Sequence, residues 1–184
     1  MIHYIDVSSV LRRTVCDLYS NLVTRSTGMA VRREIETALA VLPDPSLTII
    51  DFSHVGLLDF SCADEVVGKL LASIYLGPHR REAYVLVRGA RDAHLEAIEA
   101  VLERYGLAVT VEDAEGRSKV VGTIEEVQQR AFDIVSARGV VTCADVAIEL
   151  GEEPERFART LNGLWDRRLV MRVDDSYLAL PRAL

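Results

Sequence analysis

Apolar residues along this chain switch between two spacings, and the switches lay out its elements. Leu47, Ile49 and Ile50 form a run too short for a helix and are closed by Asp51, which predicts a buried strand. Ala63, Val66, Val67, Leu70, Leu71, Ile74 and Tyr75 recur every three or four residues, so a helix with one apolar face follows. Further strands are predicted near Ile2 to Val10, Asp17 to Thr24, Tyr84 to Val87 and Leu107 to Val111. Val31, Ile35, Ala38, Leu39 and Leu42 give a helical stripe stopped before Pro43; Leu95, Ile98, Val101, Leu102 and Tyr105 give another stopped at Gly106. Strands alternating with helices predict an α/β layer structure.

The polar, glycine-punctuated segment from Asp113 to Gly122 interrupts this order and places a domain junction near Thr123, so that residues 1–123 and 124–184 are expected to fold as separate pieces. In the second piece, Val127, Ala131, Ile134 and Val135 mark a helix ending at Gly139. Thr142 with Asp145 makes a capping box for a short helix that stops at Gly151. Pro154 opens a third helix with Phe157, Leu161, Leu164 and Trp165 on its apolar face. Two short strands, Leu169 to Val173 and Tyr177 to Leu180, are joined by Asp174, Asp175 and Ser176. Three helices and a terminal hairpin resemble a winged helix-turn-helix domain, the third helix being the recognition helix.

The start of the central helix carries the second resemblance. Ser61 is placed to accept from first-turn amides, and Asp64 three positions on completes the spacing of a capping box. The pattern Asp-Phe-Ser-x-Val-x-x-Leu-Asp-x-Ser from Asp51 to Ser61 is similar to the signature of STAS domains, the fold of sulfate-transporter tails and anti-sigma-factor antagonists. The resemblance covers roughly the first two thirds of the chain. It implies a STAS-like sheet with helices packed on it, and a serine at the position of Ser61 that a partner kinase phosphorylates. Ser61-Cys62-Ala63-Asp64-Glu65 departs from the antagonists' usual Ser-Gly-Leu-Gly and resembles a less characterised STAS-like branch whose helix opens with Ala-Asp-Glu.

Composition narrows the functions. The chain has 184 residues and a net charge of −7, which argues against broad nonspecific attraction to nucleic acid or anionic membranes. No stretch has the apolar length of a membrane span and the first residues lack the order of a signal peptide, so the location expected is the cytoplasm. Cys16, Cys62 and Cys143 are far apart, and with no clustered histidines neither a disulfide framework nor a metal site is indicated. No cofactor is called for, and without a nucleophile beside its base or a phosphate loop the reading is non-enzymatic.

The candidate site residues follow. His54, Asp59, Ser61, Cys62, Asp64 and Glu65 form the expected protein-partner surface, the partner being an anti-sigma or kinase-like regulator by the resemblance. Ser61 is read as a helix cap or a phosphoacceptor; Asp64 and Glu65, in the same turn, would repel a phosphate. Cys62 is read as packed rather than reactive. Gly28 is read as a turn residue, and Arg32 and Arg33 as part of an ordinary charged face beside Glu34 and Glu36. Arg156, Arg159, Thr160 and Arg167 are the candidate DNA contacts. Against DNA stands the charge of residues 124–184, eight Arg and no Lys against eleven Asp and Glu, with a wing tip of Asp174 and Asp175. The chain therefore reads as a regulator that couples partner binding to a winged helix. The alternative is a DNA-binding transcription factor whose STAS-like part senses a small ligand, and a homodimer is left open.

Overall fold

A computed structural model describes residues 1–16, 20–76, 82–151 and 154–180, without the side chains of residues 149, 150, 154 and 156. The chain runs β1 (Ile2–Asp6), α1 (Val7–Thr14), α2 (Arg25–Ala40) and β2 (Ser46–Asp51), then a helix in three stretches: α3 (Phe60–Ala63), a π-helical segment (Asp64–Lys69) and α4 (Leu70–Tyr75). There follow β3 (Ala83–Arg88), α5 (Asp92–Tyr105), β4 (Ala108–Glu112) and β5 (Ser118–Gly122). The five strands lie in sequence order, the first four parallel and β5 antiparallel to β4. Parallel strands that follow one another in order, joined by crossovers of one hand, put all the helices on one face of the sheet. That face holds the main core, with Ile5, Ile50, Val85, Val87, Val109 and Val111 beneath Val10, Leu11, Val31, Ile35, Val67, Leu71, Ile98 and Val101.

Several expectations for this layer need correction. The predicted first strand stops at Asp6, because the Asp6 carboxylate accepts from Ser8 N and from the Ser8 and Ser9 hydroxyls, capping α1. Val7, Val10 and Leu11 then bury at helical spacing, which a short apolar run does not distinguish from a strand. Of the predicted strand at 17–24, residues 17–19 lie outside the described residues; Leu22 makes a single bridge to Leu58. Helix α2 begins at Arg25, capped by Thr24, so Gly28 lies inside it and not in a turn. A Cβ there would sit 3.0 Å from Cys62 Cα and 3.1 Å from Glu65 Cβ; the glycine lets the two helices touch. The second half of the polar segment 113–122 is a strand, β5, paired with β4.

The C-terminal residues form α6 (Glu126–Arg138), β6 (Val140–Thr142), α7 (Cys143–Leu150), α8 (Pro154–Asp166), β7 (Met171–Val173) and β8 (Ser176–Leu178), with a small antiparallel sheet in the order β6-β8-β7. The Thr142–Asp145 capping box and the Gly139 and Gly151 stops stand where the sequence puts them. This unit has its own core around Phe132, Val135, Val146, Phe157, Leu161 and Leu164, to which Ala108 of β4 also belongs. It covers the second face of the large sheet: Leu47, Ile49, Tyr84 and Leu86 are buried with Leu180, and Trp165 and Met171 pack against them. Trp165 Nε1 donates to Tyr84 Oη at 3.1 Å, and Thr110 Oγ1 to Leu169 O at 3.4 Å. The sheet is thus a shared middle layer, and its central strands are apolar on both faces for that reason.

Candidate functional site

The loop between β2 and α3 lies at the carboxyl end of the sheet and is tied down from both sides. Arg91 Nη2 donates to the carbonyls of Val55 and Gly56, each at 2.5 Å, and His94 Nε2 lies 3.1 Å from Gly56 O. His94 is 2% exposed, and burial, aided by Arg91, holds its pKa below the usual histidine value. On the other side the chain at 20–24 runs alongside: Gly56 N donates to Ser20 O, Leu22 N to Leu57 O and Asp59 N to Leu22 O. Leu22 and Leu58, the bridged pair, point inward and are buried. In a parallel pair the residues flanking a bridge face the opposite way, so Val23 and Leu57 face outward, and they are 39% and 60% exposed. Phe60 adds a third exposed apolar side chain, 39% exposed, with the Arg104 guanidinium 5.4 Å above its ring.

The helix cap is Asp59, not Ser61: the Asp59 carboxylate accepts from Cys62 N at 2.8 Å. Ser61 comes two residues later and donates its hydroxyl to both Asp59 oxygens, at 3.0 and 3.1 Å. An aspartate caps at least as well as serine, and two candidates two residues apart compete for the same amides. The carboxylate beside Ser61 is therefore Asp59.

Asp64 and Glu65 face away from the loop surface and are 4% and 2% exposed. Arg25 Nη1 donates to Asp64 Oδ2 at 2.7 Å and to Glu65 Oε1 at 3.0 Å; Arg32 Nε donates to Glu65 Oε2 at 3.1 Å. Lys69 also donates to Glu65, Tyr105 Oη donates to Asp64 Oδ1 at 3.1 Å, and Arg32 bridges on to Glu36 at 2.7 Å. Burial opposes the charged form of both carboxyls. Arg25 and Tyr105 for Asp64, and Lys69, Arg25 and Arg32 for Glu65, outweigh it and hold both below the usual range. The π-helical turn begins at these two residues, and the wider turn accompanies a pair of adjacent carboxylates both pointing at α2.

Cys62 is fully buried and donates its thiol to Thr24 O at 2.9 Å. Burial, with the Asp59 carboxylate adding to it, pushes this thiol up to about 12, the opposite of activation. Of the six residues expected on the partner surface, His54 is exposed and Asp59 and Ser61 are partly so. Cys62, Asp64 and Glu65 belong to the interior, because α2 carries Arg25 and Arg32 across them. Arg32 is accordingly no member of an ordinary charged face. Val23, Leu57 and Phe60 are not among those six: Leu57 and Phe60 are apolar side chains within the stretch from His54 to Glu65, and Val23 is hidden in a stretch whose pattern predicts a strand.

Among the candidate DNA contacts whose side chains are described, Arg159 and Arg167 are placed differently. Arg159 is exposed on α8 and Thr160 is partly covered. Arg156 lies in α8 with its side chain outside the described residues. Arg167 is turned back onto the sheet layer, donating to Thr123 O, and its partial burial lowers its pKa. Glu155 and Asp166 are exposed on the same helix as Arg159. Among the described residues no helix is long and apolar enough to cross a membrane, and no group of three or more His, Cys, Asp or Glu could hold a metal ion. Comparison with protein-family models, curated proteins and solved structures finds no match to this chain.

Proposed function

We propose that this chain is a non-enzymatic cytoplasmic regulatory protein, a STAS-like layer carrying a winged helix, and that it acts by docking a protein partner on the β2–α3 loop. The observation that carries this reading is the exposed apolar side chains of Leu57 and Phe60, on a loop that Arg91 and His94 hold in place, and of Val23 on the chain alongside it. Exposed apolar side chains grouped on a rigid surface and rimmed by polar residues are the usual mark of a protein contact. The charged residues that might have competed for that role, Asp64 and Glu65, are consumed in holding α2. The STAS-like resemblance supplies the class of partner, an anti-sigma or kinase-like regulator, and gives Ser61 its role as phosphoacceptor. A phosphate on Ser61 would meet the Asp59 carboxylate now 3.0 Å from its hydroxyl, loosening the cap and changing the surface around Phe60.

The C-terminal order of helix, strand, two helices and two strands, with the first strand pairing the last, supports a winged helix. For DNA binding the favouring observation is exposed Arg159 on α8; against it, Glu155 and Asp166 flank it and Arg167 is engaged elsewhere. We therefore read the winged helix as a docking and covering module.

The test is a photo-crosslinkable residue at Leu57, introduced into the chain in its own cells. A discrete adduct with one protein, lost on Phe60→Asp but kept when the crosslinker-bearing chain carries Arg159→Ala, supports the reading. Adducts no different from those of a crosslinker placed at exposed Val41 would refute it.

A further inference from the structure

Among the described residues, strand β1 is an edge of the large sheet and is bonded only to β2. Met1 O accepts from Leu47 N, so the carbonyl of residue 1 points at β2. Backbone groups alternate sides along a strand, so the N–H and C=O groups of Ile2 and Tyr4 point outward from the sheet edge. The side chains of these same two residues lie on the sheet face covered by the C-terminal unit, in register with buried Leu47 and Ile49, yet they are 55% and 50% exposed. The apolar layer under Trp165 and Met171 thus runs on past the last strand into solvent. An edge strand with exposed apolar side chains and free outward backbone groups invites strand pairing unless something covers it.

We infer that β1 is a homodimerisation edge, pairing antiparallel with β1 of a second copy about a two-fold axis at His3. Side chains directly opposite one another must lie on the same face, which allows only registers shifted by two residues. With His3 opposite its own copy, Ile2 stands opposite Tyr4 in both directions. Both are outward-bonding positions, so each pair exchanges two backbone hydrogen bonds. The pairing puts an Ile–Tyr contact on each side of the axis and joins the two apolar layers. On the helical face, the edge borders a groove of about 460 Å³ lined by His3, Ile5, Asp6, Arg13, Glu34 and Ile35 among others. It carries both signs of charge, as an interface that meets its own copy requires. A peptide of one charge sign would gain on one side of the groove and lose on the other. His3 Nδ1, buried without a hydrogen-bond partner, lies on the proposed axis, where the copy's imidazole would come beside it.

Two measurements test this on the full chain. Light scattering over a concentration series should give twice the monomer mass, falling to the monomer mass for Tyr4→Pro, which removes an outward donor and leaves the β2 ladder intact. Tyr4→Lys gives the same answer should the proline variant not fold. In a Cys16→Ser background, a mixture of Ile2→Cys and Tyr4→Cys proteins should oxidise to a mixed disulfide. Cα atoms in such a pair lie about 5.5 Å apart, within bridging range. Neither variant should cross-link with itself. A monomer at all concentrations, a dimer that survives Tyr4→Lys with the same affinity, or self-linking of Tyr4→Cys alone would each overturn the proposal.

Discussion

Replacing Glu65 by Gln keeps its shape and removes its charge, which makes it a clean probe of the buried ion cluster. Glu65 is 2% exposed, with Oε1 bound by Arg25 and Lys69 and Oε2 by Arg32. A glutamine can present an oxygen to only one side, so its NH₂ must face a cation that donates as well. Severing one partner of a wholly buried ion pair costs about 3–5 kcal/mol. Here the cations lie at the rim, with the Arg25 and Lys69 side chains 52% and 39% exposed, so they regain water. Arg32, 19% exposed, regains least. We expect a loss near 2 kcal/mol, the scale of one or two hydrogen bonds to charged groups. For a chain of this length that is roughly 4–8 °C in Tm. The assay is urea unfolding of both proteins at pH 7 and again in acid. Because the folded Glu65 carboxyl titrates below its ordinary 4.5, its contribution is complete above that value and is lost as the pH falls through the lower folded value. The difference between wild type and Glu65→Gln should therefore shrink in acid. A difference under about 0.5 kcal/mol at pH 7, the scale of an ordinary surface change, or one independent of pH, would show that the cluster does not stabilise the fold.

Three further outcomes follow from the same geometry. Asp59→Ala should cost about 1 kcal/mol by uncapping Cys62 N, whereas Ser61→Ala, which removes a donor and no cap, should cost only a few tenths in chemical denaturation. Trp165→Ala removes a wedge between the two layers and should cost roughly 2–4 kcal/mol, with both layers still melting in a single calorimetric transition; two transitions would mean the layers fold independently. A thiol-specific reagent should label exposed Cys16 quickly and leave Cys62 unmodified until the protein unfolds, because that thiol is buried and held near 12.

The parts of this fold legible in the sequence are those fixed by local pattern. The β2, β3 and β4 strands, the stripes of α2 and α5, the Gly106 stop with its left-handed φ of 63°, and the Thr142–Asp145 box all stand where spacing and capping put them. What was missed depends on residues distant in sequence. Asp64 and Glu65 look like a solvated turn until Arg25 and Arg32, about forty and thirty-three residues earlier, are brought over them. Strand β5 was masked by Lys119 and Gly122 in a short, half-exposed edge. The covering of the second sheet face had a signal that went unused: Leu47 and Ile49 alternate with Thr48 and Ile50, and Tyr84 and Leu86 with Val85 and Val87. Strands apolar at every position are buried from both sides.

The central claim is that this chain works by docking protein and not by gripping DNA. Fluorescence anisotropy of a mixed-sequence duplex, titrated with the full chain at physiological salt, tests it most directly. The account predicts binding weaker than the micromolar end of ordinary nonspecific association, because a net charge of −7 repels phosphates and the exposed Glu155 and Asp166 share α8 with Arg159. Tight binding that weakens steeply with salt and disappears in Arg156→Ala/Arg159→Ala would contradict it and establish a DNA-binding regulator.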